Sequence, residues 1–314
     1  MPNQQKPKKQ QHKRHKVSII MTVYNAEATI GRAVKSILKQ DTSDLSIEFI
    51  LVNDASADSS IVVAERLISE KPDNSYISYK SIELEENMGC GYARAAGIEA
   101  ASGDYFMFLD ADDYYINDDF VYRALFTLIE NEADIVEYGV RVRDLNGRLK
   151  NSVVKESFGI ENNTKQVLIS LYKENAIKFN VWNKIYTKDV VNSYSYSKER
   201  EFEDVRTIPQ WLRRAHKVVI VSSVEVNYSA HKSSIVNTDR SKSRLGTVKA
   251  IVETLDTIKD IDVIKAMYER AMVDISAVMD GKTSLDEDFE EMSTYNEMFL
   301  TRIFGQNHGY TNNQ

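Results

Sequence analysis

Two aspartates one residue apart, Asp110 and Asp112, stand directly behind the apolar run Tyr105–Leu109 (YFMFL). Carboxylates at that spacing can meet a hard divalent cation such as Mg²⁺ through oxygen, and waters and substrate phosphates then fill the rest of its shell. Acids behind a strand can also do no more than cap the next helix. Asp118 and Asp119 lie nearer the helical run that starts at Phe120 and are expected to supply that cap. Two more polar sets follow apolar runs in the same way, Thr22-Val23-Tyr24-Asn25-Ala26-Glu27 and Asn53-Asp54-Ala55-Ser56. Gly89-Cys90-Gly91 with Gly97 imitates a phosphate loop. A dinucleotide fingerprint needs glycine at position 94, where this chain has Arg94. Nicotinamide and flavin dehydrogenases are thereby excluded, and no P-loop is present.

The elements that must carry these residues alternate. Val17–Val23, Ile47–Val52, Tyr76–Leu84 and Tyr105–Leu109 read as strands, rich in β-branched and aromatic residues. Between them Ile30, Val34, Ile37 and Leu38 mark a helix that Asn25 could cap, and Ile61–Ile68 and Tyr92–Ala101 read as two more. Strands alternating with helices of this length imply right-handed βαβ units, hence an α/β fold with a mostly parallel sheet. In such a sheet ligands bind beyond the carboxyl ends of the strands, where all three polar sets fall. After residue 133 the rhythm loosens. Ala133–Val142 is a strand leading to an Asn146-Gly147 hairpin turn, Asp204–Ala215 a helix, and Val218–Val221 and Val224–Tyr228 two strands. From Ser241 the pattern is helical only, with apolar stripes at Val248, Ile251, Val252, Leu255, Ile258 and at Ile264, Met267, Ala271, Ile275, Val278.

The 314 residues suffice for one large domain or two modest ones. One cysteine excludes a disulfide framework and any cysteine-cluster zinc site. No run reaches the ~18 apolar residues of a membrane span, and the first sixteen residues carry no apolar signal region, so a cytoplasmic protein is expected. Those sixteen hold Lys6, Lys8, Lys9, Lys13, Arg14 and Lys16 and no acid. With those six set aside from 40 basic residues, 34 face 47 acids, a net charge of −13 that disfavours nucleic-acid binding. The tail reads either as a disordered, solubilising arm or as a peripheral contact to an anionic membrane surface on the inner face of the cell.

Four stretches together resemble the family-2 glycosyltransferases with the GT-A fold. They are VSIIMTVYNAEATIGRAVKSILKQ at 17–40, FILVNDASADSS at 49–60, ENMGCGYARAAGIEAASGDYFMFLDADD at 86–113 and FEDVRTIPQW at 202–211. A weaker match is VWNKIY at 181–186. The resemblance implies a catalytic domain over 17–238, with a nucleotide-sugar half (17–115) and an acceptor half (116–238), followed by a helical region over 239–314. It implies that Thr22, Tyr24 and Glu27 hold base and ribose, that Asp54 bonds the base, usually uracil, and that Arg94 lies near ribose and diphosphate. Asp110, Ala111 and Asp112 match the donor motif, with Asp112 and Asp110 as Mn²⁺ or Mg²⁺ ligands and His231 where several relatives supply a third. Asp204 matches the catalytic base. Thr22, Asn53, Ala55 and Ala95 depart from the usual proline, aspartate, glycine and asparagine.

The implied reaction is a single inverting displacement, moving a sugar from a nucleotide-sugar donor to a hydroxyl of a glycan, lipid-linked or protein acceptor. Trp211 reads as core; Trp182 reads as core or as the floor of an acceptor-sugar pocket. Two rivals remain. A sugar nucleotidyltransferase would carry a glycine-rich basic loop after the first strand, and TVYNAEAT is not one. A silent sugar- or nucleotide-binding scaffold would have lost Asp112 or Asp204, and both are present. No oligomeric state follows from the sequence.

Overall fold

The computed structural model describes residues 14–70, 76–144, 147–230, 240–279 and 287–304. Strands β1 (His15–Val23), β2 (Leu45–Asn53), β3 (Ile77–Glu83) and β4 (Tyr105–Asp110) alternate with α1 (Glu27–Leu38), α2 (Ser60–Ser69) and α3 (Cys90–Ala100). They form a parallel block in the order β3-β2-β1-β4. β1 and β2 are almost wholly buried, which is why they read as continuous apolar runs rather than alternating ones. The connection order reverses at β1, so the crevice beyond β1 and β4 is the natural ligand position. The register pairs Thr22 with Asp110 across that crevice.

The second half is mixed rather than parallel. β5 (Tyr114–Tyr115), α4 (Phe120–Glu130), β6 (Ile135–Asp144), β7 (Leu149–Val153) and β8 (Phe158–Glu161) precede α5 (Thr164–Tyr172). β9 (Lys184–Thr187) then enters antiparallel between β4 and β6, and α6 (Lys188–Ser193) and α7 (Glu203–Arg214) lead to β10 (Lys217–Ala230). The two strands expected over 218–228 are this one strand, parallel to β6, with register shifts around Val224. Ser222-Ser223 mark an irregularity in the ladder, not a chain reversal. β6 and β7 pair antiparallel around Gly147 (φ 75°), as the hairpin expectation required.

The N-terminal boundary moves. The basic segment does not end outside the fold at residue 16, because β1 starts at His15. Arg14 Nη1 donates to the carbonyls of Thr42 and Ser43, both at 2.7 Å, and its guanidinium lies 3.8 Å from the centre of the Tyr76 ring. Lys16 Nζ sits 3.1 Å from Glu48 Oε1. Residues 1–13 of the expected tail lie outside the described residues. The C-terminal region is helical in α8 (Arg240–Glu253), α9 (Ile261–Met279) and α10 (Glu287–Phe304). Both apolar stripes are buried, α9 packs on α5 and α8 packs on α7. Among the described residues no helix is long and apolar enough to cross a membrane.

Candidate active site

At the crevice a cavity of about 550 Å³ is lined by Thr22, Tyr24, Asp54, Asn87, Gly89, Cys90, Asp110, Ala111, Asp112, Arg200 and neighbouring residues. Its floor is built by cross-laced loops. Asn25 (φ 48°) does not cap α1; its Oδ1 accepts from Ala57 N at 2.9 Å, while Ser60 Oγ accepts from Ala26 N at 2.7 Å. The Asp54 carboxylate, expected to read a base, lines the cavity but grips its wall. Oδ1 accepts from Met88 N (2.7 Å) and Oδ2 from Gly89 N (2.9 Å) and Asn87 Nδ2 (3.0 Å). Asn53 faces away, donating to Glu83 Oε2 and accepting from Ser56 N. Glu27 also departs from expectation, since its Oε2 accepts from Ser59 N at the start of α2. Tyr24 is exposed at the cavity rim.

Asp110, Asp112 and Asp113 form one cluster, each offering a carboxylate oxygen within 4.8 Å of the others. Asp113 is fully buried; Oδ1 accepts from Ser229 N at 2.8 Å, and Oδ2 has no partner among the described residues. Burial and the neighbouring charges of Asp112 and Asp110 push its carboxyl well above the usual range, against the pull of Ser229 N–H and Arg32. Three crowded carboxylates with one orphaned buried oxygen form an all-oxygen donor set that fits a hard divalent cation. Arg32 braces the cluster, donating to Asp112 O (3.1 Å) and Ser229 Oγ (2.8 Å) with its guanidinium over Tyr114. β10 ends one residue before His231, which lies outside the described residues. Asp119, expected to cap α4, holds the N-cap position without a side-chain cap and pairs instead with Arg123.

Arg94 corrects another expectation. It is buried and does not line the cavity. One guanidinium nitrogen lies 2.6 Å from Asp110 Oδ1; the other pairs with Glu203 Oε1 and donates to Tyr196 OH at 3.2 Å. Arg94 therefore ties the carboxylate cluster to the first turn of α7. Burial raises both Glu203 and Asp204, and Arg94 pulls both back. The two acids differ in engagement. Glu203 is buried against Arg94, whereas half-buried Asp204 accepts from Val205 N at 2.8 Å in its own helix. Trp182 stacks on Tyr228 with ring centroids 5.4 Å apart, and Trp211 is fully buried against Phe108. Neither lines the cavity.

Sequence reasoning missed Asp113, Arg32, Asn87 and Arg200. The run Asp112-Asp113 was a readable signal for the first. The other three depend on where loops meet, which spacing does not encode.

The mixed α/β sheet thus ends in a carboxylate cluster beside a cavity of about 550 Å³. The family model described as Glycosyl transferase family 2 matches residues 18–194, and the chain belongs to that family. It is 33% identical over 229 residues to EpsH of Bacillus subtilis (strain 168), which carries a glycosyltransferase name; the match covers 70% of this chain and 62% of that protein. The poly(ribitol-phosphate) beta-N-acetylglucosaminyltransferase TarS of Staphylococcus aureus is 29% identical over 144 residues, covering 45% of this chain and 24% of that protein. The fold resembles TarS residues 1–349 in complex with UDP-GlcNAc, with TM-score 0.66 at 18% identity over 92% of this chain and 81% of that one. It also resembles the mannosyltransferase PcManGT of Pyrobaculum calidifontis in complex with GDP-Man and Mn²⁺, with TM-score 0.58 at 13% identity over 95% and 88%. The chain spans less than two thirds of the length of the Bacillus subtilis relative.

Proposed function

We propose that this glycosyltransferase moves a sugar from a nucleoside-diphosphate donor, with uridine as the expected base, to an acceptor hydroxyl in cell-surface glycan synthesis, and inverts the anomeric centre. One observation carries the reading. Arg94 joins Asp110 of the carboxylate cluster to Glu203, beside Asp204, so a donor-sized cavity and a less engaged carboxylate share one buried cation. The TarS complex with UDP-GlcNAc supports the uridine assignment, and the TarS name supports a phosphate-rich surface polymer as acceptor class.

The loops around Asp54 shape the donor wall, and Thr22 and Tyr24 line its base and ribose side. Asp112 and Asp110, with Asp113 behind them, would hold Mn²⁺ or Mg²⁺, which when bound neutralises charge on the departing diphosphate. Asp204 accepts the acceptor's hydroxyl proton while that oxygen bonds to the anomeric carbon and the bond from that carbon to the diphosphate oxygen breaks. One displacement without a covalent intermediate turns an α-linked donor into a β-linkage. The soluble cytoplasmic side, where nucleotide sugars are found, is the matching location.

The test is slow donor hydrolysis and thermal stabilisation across a panel of nucleotide sugars, with Mn²⁺ and with excess EDTA. One uridine donor is expected to stabilise the protein and be hydrolysed only with metal, and Asp112→Asn is expected to lower the rate by orders of magnitude without unfolding the chain. Full turnover in EDTA would refute the metal assignment.

A further inference from the structure

With Arg94 consumed by Asp110, Glu203 and Tyr196, the cavity needs another cation to meet a diphosphate. Its wall otherwise carries Asp54, Asp110, Asp112 and Glu201. Among the described residues that line it, the one basic side chain is Arg200. This arginine is exposed and stands in the loop that leads into α7, four residues before Asp204. Resting on the donor reading above, we propose that Arg200 is a donor-binding residue that supplies the protein's own cation to the diphosphate. In doing so it ties the loop bearing the proton acceptor to the loop that walls the nucleotide.

The geometry already holds Arg200 in position. Nη1 donates to Asn87 O at 2.8 Å and Nη2 to Asn87 Oδ1. Asn87 in turn donates through Nδ2 to Asp54 Oδ2. The chain passes so close to this arginine that a β-carbon on Gly89 would lie 2.5 Å from Arg200 Cγ, at a backbone φ of 91°. Glycine is required there on both counts. A guanidinium carries five N–H donors in a rigid fork, so two bonds to Asn87 leave donors for phosphate oxygens. Arginine suits this task because its planar fork matches phosphate oxygens in pairs, where lysine offers a point charge.

The measurement is binding of UDP and of uridine to the full chain by calorimetry and ligand-observed NMR, in EDTA and in Mn²⁺. GDP, CDP and ADP with their nucleosides replace them if the wild type prefers another base. Arg200→Ala is expected to weaken UDP at least about tenfold, the size of a lost hydrogen bond to a charged group, and to leave uridine unchanged. The loss should persist in EDTA, and Arg200→Lys should recover only part of it. Asn87→Ala, which removes one anchor but keeps the cation, should retain most of the preference for UDP over uridine. Equal weakening of UDP and uridine by Arg200→Ala would reduce Arg200 to a clasp and overturn the proposal, as would unchanged UDP affinity. A wild type that binds none of the four diphosphates would instead overturn the donor reading itself.

Discussion

Asp204 and Glu203 stand in the same helical turn, yet Glu203 is committed to Arg94 and Asp204 is the one proposed to take a proton. Glu203 is the counter-ion of buried Arg94, so Glu203→Gln should act on stability, costing about 3 kcal/mol as for a broken buried pair, and a melting experiment reads it. Asp204→Asn should fold and bind UDP and Mn²⁺ nearly as wild type while transfer falls by about 10²–10⁴. Because burial raises Asp204 despite Arg94, its base form is lost at higher pH than for an ordinary aspartate near ~3.9. The acid limb of the wild-type kcat profile should therefore fall above that value, and a limb that persists in Asp204→Asn would assign the base elsewhere. Ala55 stands where relatives of this type usually have glycine, and it adopts φ 55°. Ala55→Gly should relieve that conformation and stabilise by about 0.5–1 kcal/mol, read from denaturant midpoints. The motif spacing picked out Asp54, Asp110 and Asp112, which line one cavity. It gave no direction for Arg94 or Glu27, whose side chains turn to partners far away in sequence.

Among the elements, the parallel block was legible because two-sided burial leaves continuous apolar runs in β1, β2 and β4. Of the later strands β6 was legible, but β5 and β9 are too short to read and β10 was split in two by an irregularity that looks like a turn. The same limit hid the role of α8. A β-carbon on Gly246 would lie 2.2 Å from Phe202 Cε2, so the helix presses directly on the residue before Glu203. Phe202 itself adopts φ 57°, and Arg206 Nη1 donates to its carbonyl at 3.0 Å while Nε pairs with Glu253 of α8 at 2.6 Å. Gly246→Val should push Phe202 aside, costing about 1–3 kcal/mol as overpacking does. It should lower kcat through Asp204 and raise the donor KM through Arg200 and Glu201, which line the cavity just before Phe202. Steady-state kinetics with the folded variant separate the two.

For the molecule as a whole, the basic segment has two parts with different consequences. Removing residues 1–13 should leave the melting temperature unchanged, and weaker binding to anionic vesicles at low salt would support the membrane contact. Removing 1–16 also deletes Arg14 and Lys16 and should destabilise. Glu48 joins β2 to β1 and to the turn before β4, accepting from Ser18 Oγ (2.6 Å), Ser102 N (2.7 Å) and Lys16. Burial opposes its charge, yet those donors bring its carboxyl down to about 2 from an ordinary 4.5. Its contribution is present above 4.5 and is lost as pH falls towards 2, so Glu48→Gln should flatten the acid side of the stability curve. The family match ends at residue 194, and Asp204, the proposed proton acceptor, lies beyond it, just after Phe202, on which α8 presses. Recombining this chain with a relative at the end of the family match would therefore not be a neutral exchange of modules. A hybrid that takes foreign helices without a matching Phe202–Gly246 contact would shift Asp204 on one side of Phe202 and the cavity wall at Arg200 and Glu201 on the other.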